Sequence, residues 1–205
     1  MSYRRRPFEW GFDIEAKGTT PPLFNQVHGN TIIEISDPAA QRAAPVDADG
    51  GYSFQRGMEI SVFTADCFPL LFFSPGSGAY AAVHCGWRGA LKGIPTAAIR
   101  AMNLKGNDYE LVMGPALLGC CFEVKEDFIA EFRQAGKNID PYLETRDGKI
   151  YCHHDRYVLE EELKDFRPAK LHAENKVCTH CSPTWPSNRR NKGTDPRIRT
   201  WIVRR

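Results

Sequence analysis

The sequence predicts an α+β fold, a single domain in which mixed β-sheet layers carry packed helices. Three observations lead there. Short apolar runs with strand character are bounded by Gly, Pro or Asp; helical stretches interrupt them irregularly; and hairpin-like neighbours at 59–64 and 69–73 sit beside strand–helix units. That mixture suits a mixed sheet with helices on it better than a doubly wound parallel fold. A chain of 205 residues with 42% hydrophobic content can bury one substantial core.

In chain order, residues 31–35, 59–64, 69–73, 79–84 and 110–113 read as strands, and 198–203 closes the series. The stretch after Gly89 reads as a helix through Ala97, Ala98, Ile99 and Met102, starting near Pro95 because proline is tolerated in a first turn. Phe128, Ile129, Phe132 and Ala135 keep helical spacing ahead of a stop at Gly136. Residues 157–166 carry Val158, Leu159 and Leu163 behind an Asp155 cap. There are no repeats and no low-complexity tracts.

The longest apolar runs, such as 70–73, are far too short for a membrane-spanning helix, and the Met-Ser-Tyr-Arg-Arg-Arg-Pro start leads into no apolar signal segment. A cytoplasmic protein without membrane attachment is the expectation. Net charge is +2, but residues 189–205 hold seven Lys/Arg against one Asp, a local +6, so the rest of the chain carries −4. A basic tail over an acidic body suits anionic ligands; no basic stripe with aromatics recurs elsewhere, so nucleic acid is not the expected partner. Seven cysteines cannot all pair, which favours free thiols and metal ligation.

Chemistry-bearing residues concentrate in Asn25-Gln26-Val27-His28-Gly29-Asn30, in Thr64-Ala65-Asp66-Cys67-Phe68-Pro69 and in Ala82-Val83-His84-Cys85-Gly86-Trp87-Arg88-Gly89. His28 precedes one strand, Cys67 lies in the link between two, and His84 closes another, so one sheet edge can gather all three. Two imidazoles and a thiolate suit zinc or copper, and three protein ligands leave a position for water or substrate. The gaps of 39 and 17 residues match no local metal motif, so spacing alone does not choose between ligands and packing residues.

The ordered motifs Gln-Val-His-Gly, Thr-Ala-Asp-Cys-x-Pro and Ala-Val-His-x-Gly-Trp-Arg-Gly resemble the YfiH-like family, also called multicopper polyphenol oxidases or laccase-domain proteins. Met113-Gly114-Pro115-Ala116, Cys120-Cys121-Phe122-Glu123-Val124, Cys178-Thr179 and Ser187-Asn188-Arg189-Arg190 extend the match, which covers about residue 26 to the end. The resemblance divides the chain into a short N-terminal extension, 1–25, and a metalloenzyme domain, 26–205. It implies His28, Cys67 and His84 as zinc ligands, with Cu2+ as the alternative. It also implies purine nucleoside phosphorylase activity on inosine, adenosine and methylthioadenosine, with adenosine deamination, whereas older descriptions of the family give copper-dependent phenol oxidation. Two departures stand out. The family's longer N-terminal region with an Arg-Gly-Gly-Val-Ser-like stretch is not seen before Gln26, so that its substrate-contacting arginine is either absent or supplied by Arg4, Arg5 or Arg6; and Trp185-Pro186-Ser187-Asn188 stands where Phe-Phe-Ser-Tyr is usual.

Asp66, next to Cys67, would face the other way in extended backbone, as a partner for a histidine N–H or as the acid/base group. Arg88 would hold phosphate through its planar fork, or else brace the loop through an ion pair. Gln26, Arg88, Arg189 and Arg190 are the expected substrate contacts, the last two either orienting an anionic group or pairing with the acidic body. Cys85 should face away from the metal. A rival site would join Cys178-x-x-Cys181 to Cys152-His153-His154, with Cys120-Cys121 serving packing alone. Six histidines fall short of a mononuclear plus trinuclear copper array. The His-x-Glu signature of ordinary zinc nucleobase deaminases is absent. Nucleoside chemistry is therefore preferred over a copper-dependent polyphenol oxidase and over a non-enzymatic basic nucleic-acid-binding module.

Overall fold

Side chains of a strand point alternately to two faces, so a run that is apolar at every position needs cover on both. Phe68–Phe73 is such a run, Tyr80–Cys85 is one apart from His84, and every residue in both is buried. The computed structural model, which describes residues 1–16, 18–193 and 196–205, puts them at the centre of the molecule.

The strands are β1 (Ser2–Arg5), β2 (Phe8–Glu15), β3 (Ile32–Glu34), β4 (Gly50–Ser53), β5 (Glu59–Thr64), β6 (Phe68–Phe73), β7 (Tyr80–Cys85), β8 (Glu110–Met113), β9 (Glu123–Val124), β10 (Leu143–Arg146), β11 (Lys149–Cys152), β12 (Lys170–His172) and β13 (Arg197–Arg204). The helices are α1 (Pro38–Ala43), α2 (Trp87–Leu91), α3 (Ile94–Ala101), α4 (Glu126–Gln134), α5 (His154–Tyr157) and α6 (Asn188–Asn191). A six-stranded sheet runs β12-β8-β6-β7-β4-β3, parallel at its two outer pairs and antiparallel within. A four-stranded antiparallel sheet runs β1-β2-β13-β5, and β10-β11-β9 form a small third sheet. The architecture is α+β with mixed sheet layers, as expected. Among the described residues, no helix is long and apolar enough to cross a membrane.

Phe68, Leu70 and Phe72 of β6, with Ala81 and Val83 of β7, pack with Ile94, Ala98 and Ile99 of α3 and with Phe128 and Phe132 of α4. From the opposite face of the same strands, Leu71, Phe73, Tyr80 and Ala82 join Phe8, Trp10 and Phe12 of β2, Ile60 and Val62 of β5, and Ile198 and Ile202 of β13. The first 25 residues, set apart by the sequence as an extension, thus supply β1 and β2 and part of the second core. β2 pairs along its whole length with β13.

Three local expectations change. First, 59–64 and 69–73 are not a hairpin: β5 and β6 lie in different sheets, and the chain crosses between layers at Asp66, whose φ is +90°. Second, 157–166 is not one α-helix. After α5 the turn widens, with Leu163 N–H donating to Val158 O at 3.0 Å, and Asp155 caps nothing because it pairs with Lys176 Nζ at 2.7 Å. The widened turn accompanies buried Glu162, which receives Tyr157 Oη at 2.9 Å and Lys137 Nζ at 3.0 Å. Third, the helix placed near Pro95 is preceded by a separate short one, α2, starting three residues after His84.

Candidate metal centre and its cavity

His28 sits in the loop before β3 with φ +59°, Cys67 at the crossing into β6, and His84 near the end of β7. The register that pairs Pro69 with His84 and Phe68 with Cys85 brings the second and third together. One ligand atom from each of the three residues lies within 4.8 Å of the others. Cys67 Sγ is 3.8 Å from His28 Nε2, and the two imidazole rings meet edge to face at 4.7 Å. Cys85 points the other way, into the first core, as alternation requires.

The group that organises this trio is Asp49, fully buried at the residue before β4. Its carboxylate accepts the backbone N–H groups of Val27 at 3.2 Å, His28 at 3.0 Å and Gly29 at 2.6 Å, and His84 Nδ1 at 2.7 Å. Donation from Nδ1–H leaves the Nε2 lone pair of His84 for a metal. This is the role expected of Asp66. Asp66 instead accepts Thr179 Oγ1 at 2.6 Å and the backbone N–H of Arg189 at 2.5 Å, because its positive φ takes it out of extended geometry. Sequence reading missed Asp49 since Asp47-Ala48-Asp49-Gly50-Gly51 looks like an ordinary turn.

The electrostatics follow from these contacts. Burial raises the Cys67 thiol, but hydrogen bonds with His28 and His84 outweigh it and bring the pKa down to about 6. Burial opposes charge on His84, yet its bonds to Asp49 and Cys67 raise it to about 9. Burial also raises the Asp49 carboxyl, and His84 with the N–H groups of Gly29 and His28 reverses this and holds it below the usual range. Gly86 completes the cradle: a Cβ there would stand 2.9 Å from His28 Cδ2 and 3.1 Å from Cys67 Sγ. A thiolate and two imidazoles with one open position form a donor set suited to zinc, and also to copper.

His28, Cys67 and His84 line one cavity of about 720 Å3 together with Phe24, Gln26, Phe63, Asn188 and Arg197. Gln26 faces this space, but its amide is committed to β5: Nε2 donates to Phe63 O at 2.7 Å, and Oε1 accepts Phe63 N–H at 2.8 Å. Among the described residues of the lining, Arg197 is the one arginine or lysine. Arg88 lies outside the lining, exposed, with Nη2 on Glu131 Oε1 at 3.0 Å and its guanidinium 4.1 Å from the Trp87 ring centre. That arrangement matches the bracing alternative. Arg189 Nη2 donates to Glu123 O at 3.1 Å, and Arg190 clasps the carbonyls of Thr179, His180, Ser182 and Trp185. Further along the basic stretch, Arg199 pairs with Asp13, Glu15 and Glu59, and Arg205 with Glu9, so acidic strands neutralise much of that charge. Its single acidic residue, Asp195, lies outside the described residues.

Residues 13–205 match the family model described as multi-copper polyphenol oxidoreductase laccase. A purine nucleoside phosphorylase of Aquifex aeolicus is 33% identical over 179 residues, which cover 87% of this chain and 80% of that one. A purine nucleoside phosphorylase of Streptomyces coelicolor is 40% identical over 110 residues, 52% of this chain and 45% of that relative, so the match spans about half of its length. Among solved structures, a Neisseria meningitidis protein superimposes with a TM-score of 0.76 at 25% identity, covering 88% of this chain and 73% of the other. The fold, the ordered motifs and these matches agree: the chain belongs to the YfiH-like, laccase-domain family.

Proposed function

We propose that this chain is a zinc-dependent purine nucleoside phosphorylase acting on inosine, adenosine and methylthioadenosine, with adenosine deamination at the same centre. The observation that carries this reading is the placement of His28, Cys67 and His84 on one wall-lined cavity with no fourth protein donor among the described residues. Zinc, when bound by these three residues, would supply Lewis-acid polarisation and a hydroxide source at neutral pH. Phe24 and Phe63 offer apolar surface to a purine, and Arg197 offers a planar fork to phosphate. Arg197 therefore takes the role first assigned to Arg88. Asp66 acts on the centre indirectly, by tying Thr179 and α6 to the segment bearing Cys67.

The copper-oxidase reading meets a shortage of imidazoles. His153 is bound to Glu144 at 2.9 Å and His172 to Glu110 at 2.7 Å, and no third imidazole joins His28 and His84 among the described residues. Metal analysis beside a chromatographic assay of inosine, adenosine and methylthioadenosine, with and without phosphate, tests the proposal. Inosine cleavage should require phosphate, adenosine deamination should not, and Cys67→Ser should abolish both together with the metal of this centre. Full activity in metal-free protein, or phenol oxidation without nucleoside turnover, would overturn it.

A further inference from the structure

A second cluster of metal-type donors lies outside this site. Cys120, Cys121, Cys178 and Cys181 place their four sulfurs within 4.8 Å of one another, and none is in a disulfide. Cys120 and Cys121 stand in the turn after β8, closed by Cys121 N–H on Leu118 O at 2.9 Å; Cys178 and Cys181 stand in a turn closed by Ser182 N–H on Cys178 O at 3.0 Å. The two turns are docked by a short bridge, with Ala116 N–H on Val177 O at 3.1 Å and Thr179 N–H on Ala116 O at 2.9 Å.

We propose that these four cysteines form a closed tetrathiolate site for zinc, separate from the open site in the cavity. Zn–S bonds of about 2.3 Å in a tetrahedron set sulfur–sulfur edges of about 3.8 Å. The Cys120–Cys181 separation is 3.7 Å and Cys121–Cys181 is 3.2 Å, so small adjustments admit the ion. The backbone N–H groups of Leu118, Cys181 and His180 face Cys178 Sγ, an arrangement that supports a thiolate ligand. Cations sit on both turns and offset the net negative charge of a zinc tetrathiolate: Arg146 Nη2 donates to Gly119 O at 2.7 Å and Cys120 O at 3.2 Å, and Arg190 holds the carbonyls of the other turn. The rival set drawn from Cys152-His153-His154 does not form, since Cys152 is buried in the first core and His153 is bound to Glu144.

Four protein donors leave no position for substrate, so the role is structural. What it would order is adjacent to the cavity: Thr179, between two of the ligands, donates to Asp66 Oδ1, and Leu117 N–H donates to Asp66 O at 2.8 Å, one residue from Cys67.

The test uses the full chain, purified under reducing conditions, stripped with a chelator and titrated with Co2+ and then Zn2+. Wild type should take up about two ions per chain, and Cys67→Ser about one. The Cys67→Ser protein should still show the intense visible bands of tetrahedral cobalt tetrathiolate. The double variant Cys178→Ser/Cys181→Ser should lose those bands and keep about one ion. Absence of tetrathiolate bands from Cys67→Ser would overturn the proposal whether or not the double variant folds. So would a Cys121–Cys181 disulfide in freshly purified, unreduced protein whose thiols, once reduced, bind no cobalt. Neither result bears on the His28, Cys67 and His84 centre, which the nucleoside assay addresses.

Discussion

Asp49 Oδ1 and His84 Nδ1 stand 2.7 Å apart in the protein interior, and the same carboxylate gathers three consecutive backbone N–H groups of the loop bearing His28. One buried side chain therefore sets the tautomer of one imidazole and the loop position of the other. Replacing Asp49 with Asn keeps the shape but puts an N–H2 where an acceptor is needed. Metal affinity should fall about 10- to 100-fold, read by competition with a chromophoric chelator. Unchanged affinity would remove Asp49 from the centre.

Gly86 has φ −68° and ψ 162°, a conformation any residue adopts, so an alanine there is not strained by its backbone. Its Cβ would press on His28 and Cys67 instead. Gly86→Ala should lower metal occupancy and nucleoside turnover while the thermal midpoint of the metal-stripped protein stays within a few degrees. A large fall in that midpoint would show a packing role.

With Cys67 at about 6 and His84 at about 9, the metal-free chain holds a thiolate–imidazolium pair between those values. The raised His84 pKa contributes stability that is full below its ordinary 6.5 and is lost as pH rises through about 9. The lowered Cys67 pKa contributes stability that is full above its ordinary 9.0 and is lost as pH falls through about 6. The opposing slopes should leave metal-free stability nearly level from pH 6.5 to 9, whereas Cys67→Ser, retaining only the histidine contribution, should lose stability over that range in urea titrations. Zinc uptake near pH 7.5 should release about one proton, from His84, measurable by calorimetry in buffers of different ionisation enthalpy.

Arg197 lines the cavity and Arg88 does not. Arg197→Ala should reduce phosphate-dependent inosine cleavage about 10- to 100-fold, the worth of one charge-assisted contact of about 1.5–3 kcal/mol, and Lys should rescue only in part. Arg88→Ala, which breaks an exposed pair with Glu131, should change it less than about fivefold. The reverse order of effects would return the phosphate contact to Arg88.

Phe12 is 2% exposed and packs edge to face against Trp185 at 6.5 Å. Phe12→Ala should cost about 3–5 kcal/mol in denaturant titration. A cost below 1 kcal/mol would mean that β2 is dispensable to the core.

The strand and helix runs were legible because alternation and helical spacing are local properties of side chains. Residues 59–64 and 110–113 were read with the bounds the strands have, and the helix after Lys125 stops at Gly136, whose φ is +69°. His28, Cys67 and His84 could be nominated from residue type and motif order. Their convergence depends on something periodicity does not encode: the crossing at Asp66 sends β5 and β6 into different sheets, and pairing of β6 with β7 sets Cys67 beside His84. Asp49 was hidden as a turn residue until the fold buried it under the N–H groups it accepts. The thiols of Cys121 and Cys178, far apart in sequence, meet only because Ala116 bridges to Cys178. Residue chemistry is written along the chain, but which groups share a site is settled by long-range sheet register and by burial that obliges polar groups to find partners within the fold.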